Sequence, residues 1–510
     1  MKHIIKLITR RIVFAAFALL IQIIWGVVLM YQFQNYNTYF SIFFDILALL
    51  IVLRILNKWN NPSYKLAWAV PILAIPVFGI TIYLLFGRSG LTKKKRRRLE
   101  AVHQIFKANL HQNKKTIQEI SNMDMGIKRQ VDYIYNLSDF PIYKNTAQRY
   151  FPTGEAMFES LIEDLKNAKH FIFLEYFIIV EGKMWNTILD ILEEKASEGL
   201  DIRLIYDDFG CNQLPARYYK SLQAKGLKCA AFNPVRPVLS VVQNNRDHRK
   251  ILVIDGKVGY TGGVNLADEY INEIVRFGYW KDVGIRIEGD AVANFTVMFL
   301  EMWHYITGIN EDYMQFDTQK YLNGQIAAEG FVQPYADSPF DRETVGENVY
   351  MNIINKAKNY VYICTPYLII DNEVMTALTL AAKSGVDVRI ITPGIPDKKM
   401  VFLMTQSYYE QLISAGVRIF QYKKGFVHAK SFVCDDEIAT VGSINLDYRS
   451  LYMHFECGVY IYHSSVVSDI KNDFLTTLQD CENITLDFCR KRNWILKTFQ
   501  AVLRLIAPLF

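Results

Sequence analysis

Two stretches of the chain repeat the same four polar residue types at the same spacing. The first reads DHRKILVIDGKVGYTGGVN and the second reads VHAKSFVCDDEIATVGSIN. The matched residues are His248, Lys250, Asp255 and Asn265 in the first stretch and His428, Lys430, Asp435 and Asn445 in the second. A single His-x-Lys pair is typical of a strand end at the protein surface, whereas two complete copies favour a functional site.

In each stretch the histidine and the lysine are two residues apart, so in an extended segment they project from the same face. The apolar residues after the lysine continue as a buried strand. In the first stretch the next strand then returns Gly262, Gly263 and Asn265 to the His-Lys end. One half therefore offers an imidazole, a cation, an amide and backbone N–H groups, and two halves together place two imidazoles across an anion pocket.

This set of groups fits phosphoryl transfer from a phosphodiester. The lysines and asparagines neutralise and hydrogen-bond the non-bridging oxygens of the phosphate. One histidine attacks phosphorus to form a phosphohistidine, and the other protonates the leaving alcohol and then deprotonates the incoming one. An imidazole pKa of about 6.5 lets both protonation states coexist near neutral pH. Because the lysines supply the positive charge, we expect neither a metal ion nor another cofactor.

The elements that must position these residues also occur twice. From about Phe151 the chain alternates helix-like and strand-like segments, which is typical of an α/β fold. The segment NAKHFIFLEYFII matches KAKNYVYICTPYLII, and SEGLDIRLI matches KSGVDVRII, at an offset of about 185 residues along the chain. The sequence therefore predicts two homologous halves, residues 151–330 and 331–485, that form one catalytic body.

Both stretches resemble the H-x-K-x4-D-x6-G-[GS]-x-N signature of the phospholipase D superfamily. The resemblance covers residues 151 to about 481 and implies two α/β/α halves, related by a pseudo-twofold axis, with one shared site at their seam. It implies that His248 is the nucleophile and His428 the general acid and base. It also implies that four residues hold the phosphate: Lys250, Asn265, Lys430 and Asn445. Ser443 stands where the first half has Gly263, so the half-sites are not equivalent.

The aspartates of the signature are expected to be structural. Asp255 and Asp435 lie five residues beyond the lysines, about 16 Å along a strand, so they are better placed to stabilise a turn than to act in catalysis. A histidine base needs an acceptor on its other ring nitrogen. In enzymes that this chain resembles, an acidic residue after the signature fills that role, which here points to Asp282 and Glu456.

Three apolar runs in the first 86 residues predict helices that cross a membrane several times. They cover residues 12–33, 39–53 and 66–86, and no cleavage site follows the first run. The cluster KKKRRR at residues 93–98 then predicts that the catalytic part lies in the cytoplasm, against anionic headgroups.

Lys2, Lys6, Arg10 and Arg11 also favour the cytoplasmic side. Three crossings cannot place both basic clusters there, but two can. Either one run is re-entrant or interfacial, or the N-terminal cluster lies outside.

The remaining organisation follows from these features. Residues 1–98 form the membrane-anchoring segment, residues 99–150 a linker, and residues 486–510 an amphipathic helix suited to an anionic lipid surface. Residues 61–88 and the basic C-terminal tail resemble bacterial cardiolipin synthases. That resemblance implies an enzyme of the bacterial cell membrane that transfers the phosphatidyl group of one phosphatidylglycerol to a second one, giving cardiolipin and glycerol.

Composition narrows the alternatives. The net charge of +6 is small for 510 residues and does not indicate a nucleic-acid partner, and the seven scattered cysteines favour a reduced compartment without a structural zinc. A phospholipase or nuclease of the same superfamily would use water as acceptor, and another phosphatidyltransferase would use a different alcohol. A non-enzymatic phosphate-binding scaffold is disfavoured because neither signature is broken.

Overall fold

Two β-sheets with the same strand order form the centre of the protein in a computed structural model of the chain. The structure describes residues 38–58, 61–87, 93–235, 244–322, 324–340 and 343–509, with four isolated positions, 20, 24, 25 and 28, in the first apolar run. The α/β fold predicted from the sequence is confirmed.

The first sheet has the order β1-β9-β7-β6-β2-β3-β4. Its strands are β1 Thr146–Phe151, β2 Phe171–Tyr176, β3 Asp201–Asp207, β4 Lys228–Phe232, β6 Lys250–Ile254, β7 Val258–Gly262 and β9 Gly284–Gly289. Helices α7 Gly154–Lys166, α8 Lys183–Ser197, α9 Tyr218–Ala224, α10 Val292–Thr307 and α11 Thr318–Tyr321 accompany them. Helix α7 shows why these elements form: the Thr153 hydroxyl accepts from Ala156 N at its start, and Met157, Leu161 and Leu165 line its buried face.

The second sheet repeats that order as β10-β19-β17-β16-β11-β13-β14 and adds β20 at its edge. Its strands are β10 Phe331–Asp337, β11 Tyr360–Cys364, β13 Asp387–Pro393, β14 Arg418–Tyr422, β16 Ser431–Cys434, β17 Ile438–Gly442, β19 His454–Tyr462 and β20 Cys481–Ile484. Its helices are α12 Val345–Lys356, α13 Asn372–Lys383, α14 Lys399–Ser407, α15 Tyr409–Ser414, α16 Tyr448–Tyr452 and α17 Val466–Gln479, and α18 Leu486–Arg490 and α19 Trp494–Ile506 follow.

The two halves exchange short strands at their seam. Strand β5, Arg246–Asp247, belongs to the first half but pairs in parallel with β19 of the second. In return, β15, Gly425–Val427, belongs to the second half and pairs in parallel with β8, Tyr279–Lys281, of the first. A third short pair joins β12, Leu368–Ile369, to β18, Leu446–Asp447. One apolar core contains residues of both sheets, so the halves share their packing as well as their strands.

The predicted linker is an ordered part of the catalytic body. Helices α4 Lys93–Lys107, α5 Lys114–Met123 and α6 Met125–Ser138 fill this region. Phe106 packs into the core shared by the two sheets, whereas Ile120 and Ile134 pack into the core of the second half. The prediction of a linker overlooked the helical spacing of the apolar residues on α5 and α6, which buries one face of each helix.

The membrane segment contains one long helix and a hairpin. Helix α1, Thr38–Leu56, has a mean hydropathy of 2.3, and only 17% of that apolar stretch is buried, so it is not a core helix of the folded body. Among the described residues it is the one helix long and apolar enough to cross a bilayer. The predicted span at residues 12–33 lies outside the described residues, apart from the four isolated positions.

The apolar run 66–86 does not form one straight span. It folds as α2, Pro62–Ala74, and α3, Pro76–Phe86, which double back on each other. The Tyr64 hydroxyl donates to Gly87 O at 3.0 Å, and a Cβ on Gly79 would lie 2.3 Å from Pro71 O. The residue before Pro76 is biased away from helical geometry, and Gly79 permits close approach, so the run forms a helical hairpin instead of one straight span.

The contacts of His103 predict a pH-dependent contribution of α4 to stability. Its ring nitrogens lie 2.8 Å from Glu301 Oε1 and 2.9 Å from Asp139 Oδ2. Burial acts to lower the pKa of His103, but the two carboxylates outweigh it and raise the pKa to about 10. Because the folded pKa is raised, the stabilisation is complete below the unfolded pKa of about 6.5 and is lost as the pH rises through about 10.

We therefore expect His103→Gln to lower the unfolding free energy by about 2 kcal/mol at pH 6 and by much less at pH 10. Thermal unfolding of the detergent-solubilised protein at both pH values measures this difference. His111→Gln, which alters an exposed histidine of the same region, is the control. An equal loss at both pH values for His103→Gln would contradict the assigned ion pairs.

Candidate active site

The two signatures lie at equivalent ends of the two sheets. His248 immediately precedes β6, which begins at Lys250, and His428 and Lys430 occupy the same place before β16. Strands β7 and β17 then return the chain toward the asparagines that complete each signature. All six side chains are buried, with exposed fractions between 0 and 7%: His248, Lys250, Asn265, His428, Lys430 and Asn445.

Each histidine is held by a carboxylate from the opposite half. Nδ1 of His248 lies 2.9 Å from Glu456 Oε1, and Nδ1 of His428 lies 2.7 Å from Asp282 Oδ2. Backbone hydrogen bonds also cross the seam. The amide of His248 donates to Phe455 O at 2.9 Å, and the amide of His428 donates to Lys281 O at 2.7 Å. A carboxylate on Nδ1 fixes the ring and leaves Nε2 available for chemistry. Neither half therefore completes a His-acid pair by itself.

The two acids are seated differently. A Cβ at Gly263 would lie 2.0 Å from Asp282 Oδ1, so the shorter acid rests directly on the glycine backbone. In the second half the equivalent Ser443 donates its hydroxyl to Glu456 Oε2 and accepts from Cys457 N at 3.0 Å. The residue after Gly262 or Gly442 is thus matched to the length of the acid beside it: Gly263 accommodates Asp282, and Ser443 hydrogen-bonds to Glu456.

Asp282 and His428 form a pair with an ionised carboxylate. Burial acts to raise the pKa of Asp282, but the charge and hydrogen bond of His428 outweigh it and hold the pKa below its usual value. Burial, followed by the charge of Lys430, lowers the pKa of His428 to about 4, with Asp282 acting in the opposite direction. A bound phosphodiester anion would oppose both of these causes and favour the protonated imidazole.

The His248 side differs because its acid is less readily ionised. Burial raises the pKa of Glu456 to about 8, with the charge of Lys250 acting against it. Burial and then Lys250 also hold the pKa of His248 well below its usual value. The unprotonated imidazole that results is the form required of a nucleophile.

The two lysines lie close enough for the charge of Lys250 to act on Lys430, and neither forms an ion pair with a carboxylate in the part of the chain that the structure describes. Each Nζ donates to the carbonyl oxygen of the histidine two residues earlier. Burial lowers the pKa of Lys250 to about 8 and that of Lys430 to about 7. Such ammonium groups gain from a bound anion, because its charge replaces the lost hydration.

The asparagines are not equivalent. Asn265 accepts from Ile178 N at 3.0 Å and donates to the Tyr270 hydroxyl at 2.8 Å. Asn445 Oδ1 is buried and has no hydrogen-bond partner among the described residues. The side-chain amide of Asn445 is therefore free to form a hydrogen bond with a ligand.

The signature aspartates lie away from the pocket. Asp255 accepts from the backbone N–H groups of Lys169, His170 and Phe171 at 2.7–2.9 Å. Asp435 does the same in the second half for residues 358–360, at 2.6–2.9 Å. Both have positive φ, 52° and 51°, and tie the turn after the signature strand to the start of the neighbouring strand. Their contacts are structural.

Sequence reasoning missed two rings that flank His248 and His428. The His454 ring centroid lies 5.5 Å from that of His248, and the Trp280 ring centroid lies 5.4 Å from that of His428. Each ring stands two residues before the acid of its half, Glu456 or Asp282, and strand alternation places residues two apart on one face. The spacing could have identified both.

A metal ion has one possible ligand set among the described residues. Nitrogen atoms of His248 and His454 and an oxygen of Glu456 lie within 4.8 Å of one another. All three are buried, and Glu456 already accepts hydrogen bonds from His248 and Ser443. Without a metal, the site still presents two imidazoles, two ammonium groups and amides to an anion, which is the equipment for phosphoryl transfer through a covalent histidine intermediate.

Comparison with known proteins agrees with this chemistry. Residues 161–303 and 350–478 match the family described as cardiolipin synthase, PLD-like domain. Residues 43–88, which include the membrane hairpin, match the phospholipase D-nuclease N-terminal family.

Similar proteins extend the match to almost the whole chain. An uncharacterized protein of Streptococcus mutans is 44% identical over 460 residues, covering 90% of this chain and 99% of that protein. The cardiolipin synthase of Alkalihalophilus pseudofirmus is 34% identical, covering 92% of this chain and 93% of that protein. The structure of a phosphatidylserine synthase from Haemophilus influenzae aligns with a TM-score of 0.56 and 14% identity, covering 75% of this chain and all of that chain, and supports the fold alone.

Exchanging Gly263 and Ser443 tests the different seating of the two acids. Gly263→Ser must displace Asp282 from His428, so we expect turnover to fall about 100-fold or more. Ser443→Gly removes one hydrogen bond from Glu456 without a clash, and we expect a loss of about tenfold. Steady-state rates of phosphatidyl transfer, with circular dichroism to verify folding, measure both. Equal losses in two folded variants would contradict this geometry.

Proposed function

Since the chain belongs to the cardiolipin synthase family and is a phosphatidyltransferase of the phospholipase D superfamily, we propose that it joins two phosphatidylglycerol molecules into cardiolipin and releases glycerol. The observation that carries this proposal is the pair of buried histidines, each held by a carboxylate of the opposite half. Two imidazoles in different electrostatic surroundings are what a two-step transfer needs.

In the first step, His248 is the nucleophile. Its Nε2 attacks phosphorus of the first phosphatidylglycerol, a N–P bond forms, and the bond from phosphorus to the headgroup glycerol breaks. Protonated His428 gives its proton to the glycerol oxygen, and Asp282 stabilises that protonated ring. Lys250 and Lys430 neutralise the non-bridging oxygens together with the two asparagines.

In the second step, the headgroup hydroxyl of another phosphatidylglycerol is the acceptor. His428, now neutral, takes the proton of that hydroxyl while its oxygen attacks phosphorus and the N–P bond breaks. Cardiolipin forms, and both histidines return to their starting protonation states. Because burial excludes water from the pocket, a lipid alcohol is favoured over hydrolysis.

We further propose that the protein is a multi-pass membrane protein with its catalytic part in the cytoplasm. Support comes from the orientation of the hairpin: Asn61, before α2, donates to Asp371 at 2.8 Å, and Tyr64 meets Gly87 at the end of α3. Both hairpin ends thus lie on the catalytic side, which leaves α1 as the crossing helix. A second crossing by residues 12–33 would return the N-terminal basic residues to the side of the cluster at residues 93–98, satisfying both charge preferences.

Helix α19 is proposed to lie on the same membrane face. It packs on α14 through Leu503 and through Gln500, which donates to Leu403 O at 2.9 Å. Its opposite face is apolar and exposed; these residues are Trp494, Ile495, Phe499, Val502 and Leu505. An exposed apolar face beside basic residues suits an anionic lipid surface.

A labelling experiment tests the reaction and the roles of the histidines. Purified protein in detergent receives phosphatidylglycerol labelled in its phosphate, and cardiolipin, glycerol and acid-labile protein-bound phosphate are measured together. We expect cardiolipin and glycerol in equal amounts. His248→Ala and His428→Ala should each lower turnover by about 10³-fold or more, because each removes a group from the reacting atoms.

The labelled intermediate separates the two roles. We expect His428→Ala to retain protein-bound phosphate and His248→Ala to carry none. Phosphatidic acid as the sole lipid product would refute the synthase proposal, and label retained in His248→Ala would refute the proposed nucleophile. Asp255→Asn, whose side chain lies away from the pocket, serves as the control for labelling.

A second experiment tests the membrane role of α19. The double substitution Trp494→Ser with Phe499→Ser should weaken binding to vesicles containing phosphatidylglycerol about 10- to 100-fold, because two large apolar side chains no longer enter the lipid. The variant is compared with the parent protein after both are reconstituted, by the rate of cardiolipin formation in vesicles and on short-chain substrate in micelles. A fall in vesicles only is expected, and an equal fall in both would contradict the interfacial role.

A further inference from the structure

The surroundings of the two catalytic histidines differ in charge. Beside His248 lies the His454 ring, 5.5 Å away between centroids, and the charges of Arg246 and Arg449 act on His454. The Phe177 ring also lies 4.8 Å from His248. Around His428 the described rings are aromatic and no arginine charge is among the causes of its pKa shift: Tyr270, Trp280 and Phe426 have centroids 5.4–5.9 Å from its ring. The pseudo-symmetry of the fold does not require this difference. The basic side chains on the His248 side are therefore not explained by the shared phosphate pocket.

His454 has hydrogen-bonding capacity that its described neighbours do not use. The residue is 8% exposed, and neither ring nitrogen has a hydrogen-bond partner among the described residues. Its Nδ1 lies 3.9 Å from Glu456 Oε1, which is too long for a hydrogen bond. A buried imidazole with two unsatisfied nitrogens is costly, and a ligand that accepts or donates hydrogen bonds would remove that cost.

Two arginines surround this imidazole. Arg246 lies directly across from His454 in the register of β5 and β19; its Nη1 donates to Asn233 O at 2.9 Å and lies 3.6 Å from Asp207 Oδ1, an ion pair that compensates part of its charge. The Arg449 guanidinium is half-buried and has no hydrogen bond or ion pair with any other residue that the structure describes. Burial, followed by the charges of Arg449, Lys250 and Arg246, holds the pKa of His454 well below its usual value. The ring is therefore neutral in a cationic environment.

The equivalent position in the first half has the opposite charge. Arg449 stands four residues after Asn445, and Glu269 stands four residues after Asn265. Glu269 is paired with Arg276 at 3.0 Å, whereas Arg449 has no hydrogen bond or ion pair in the described part of the chain, although the charge of Asp447 acts on it. The guanidinium of Arg449 therefore has an acidic counterpart, not a basic one, in the first half.

This charge decides between a cation and an anion as the ligand. The possible metal ligands His248, His454 and Glu456 include one carboxylate, which already accepts from His248 and Ser443. Lys250 and the two arginines would repel a divalent cation. The same three positive groups, with the free nitrogens of His454, favour an anion with several acceptor oxygens.

We propose that Arg246, Arg449 and His454 form a second anion subsite, which binds the phosphodiester of the second lipid while the first phosphodiester reacts between His248 and His428. This inference rests on the proposed function. The two phosphates of the product are joined by one three-carbon glycerol, so a second phosphate site must lie beside the first. The 5.5 Å between the ring centroids of His248 and His454 places His454 directly beside the proposed nucleophile.

The membrane anchor supports this assignment. Arg449 lies on α16, and Tyr452 of the same helix accepts from Asn61 Nδ2 at 3.0 Å, immediately before the membrane hairpin. The subsite therefore lies on the side of the catalytic body that faces the lipid. The subsite would make the enzyme selective for its acceptor. It binds an acceptor alcohol that carries its own phosphodiester, and it does not bind free glycerol or water.

Acceptor competition tests the subsite. Full-length protein in detergent receives phosphatidylglycerol and radiolabelled glycerol. Cardiolipin reports the use of a lipid acceptor, and labelled phosphatidylglycerol reports the use of glycerol by the same covalent intermediate. We expect Arg449→Gln to lower the ratio of cardiolipin formation to glycerol exchange about 10- to 100-fold. His454→Asn should lower it in the same direction, and Arg449→Lys should restore part of it.

The control is Arg276→Gln, which removes an arginine of the first half and is expected to leave the ratio unchanged. An unchanged ratio in folded Arg449→Gln and His454→Asn would overturn the subsite. Zinc inhibition of the parent that His454→Asn abolishes, together with an unchanged ratio, would overturn it in favour of a metal site. Glycerol exchange without cardiolipin from the parent protein would refute the proposed function instead, so the two failures are distinguishable.

Discussion

The organisation of the catalytic body depends on two buried hydrogen bonds that cross its seam, from His248 to Glu456 and from His428 to Asp282. Each joins an imidazole of one half to a carboxylate of the other, and each is reinforced by a backbone hydrogen bond one residue away. A buried carboxylate without its partner is strongly destabilised. The halves must therefore associate in this register, and the exchanged strands β5 and β15 are the backbone of the same arrangement.

The energetic cost of burying four basic side chains together predicts that the site selects anions. Two lysines and two histidines share a buried space, and burial lowers the pKa of each of them. A phosphodiester reverses that situation, because its negative charge compensates groups that water no longer reaches. The binding energy is therefore greatest when the charge on the non-bridging oxygens is greatest, which favours the transition state.

Sequence reasoning identified the duplicated chemistry but not its three-dimensional pairing. The family and the α/β fold were predictable because two complete signatures recur within matching strand and helix patterns. Asp282 and Glu456 were identified as candidate acids, but local sequence contains no information on which histidine each would meet. His454 was missed because a histidine on a buried strand looks like packing until its distance to His248 is known. Residues 99–150 were read as a linker because short amphipathic helices contribute weak signals beside a long repeat.

The fold of the membrane segment was also not predictable from the sequence alone. Hydropathy identifies residues 66–86 as apolar, but only the contacts of Tyr64 with Gly87 and of Gly79 with Pro71 show that the run reverses. That reversal places the start of the hairpin against Tyr452, on the short helix that also bears Arg449. Tyr452, which contacts the anchor, and Arg449, which has no hydrogen bond or ion pair among the described residues, thus lie on the same short helix. A lipid substrate that keeps its chains in the bilayer then has a short path to the His248 side, and a soluble alcohol gains nothing from it.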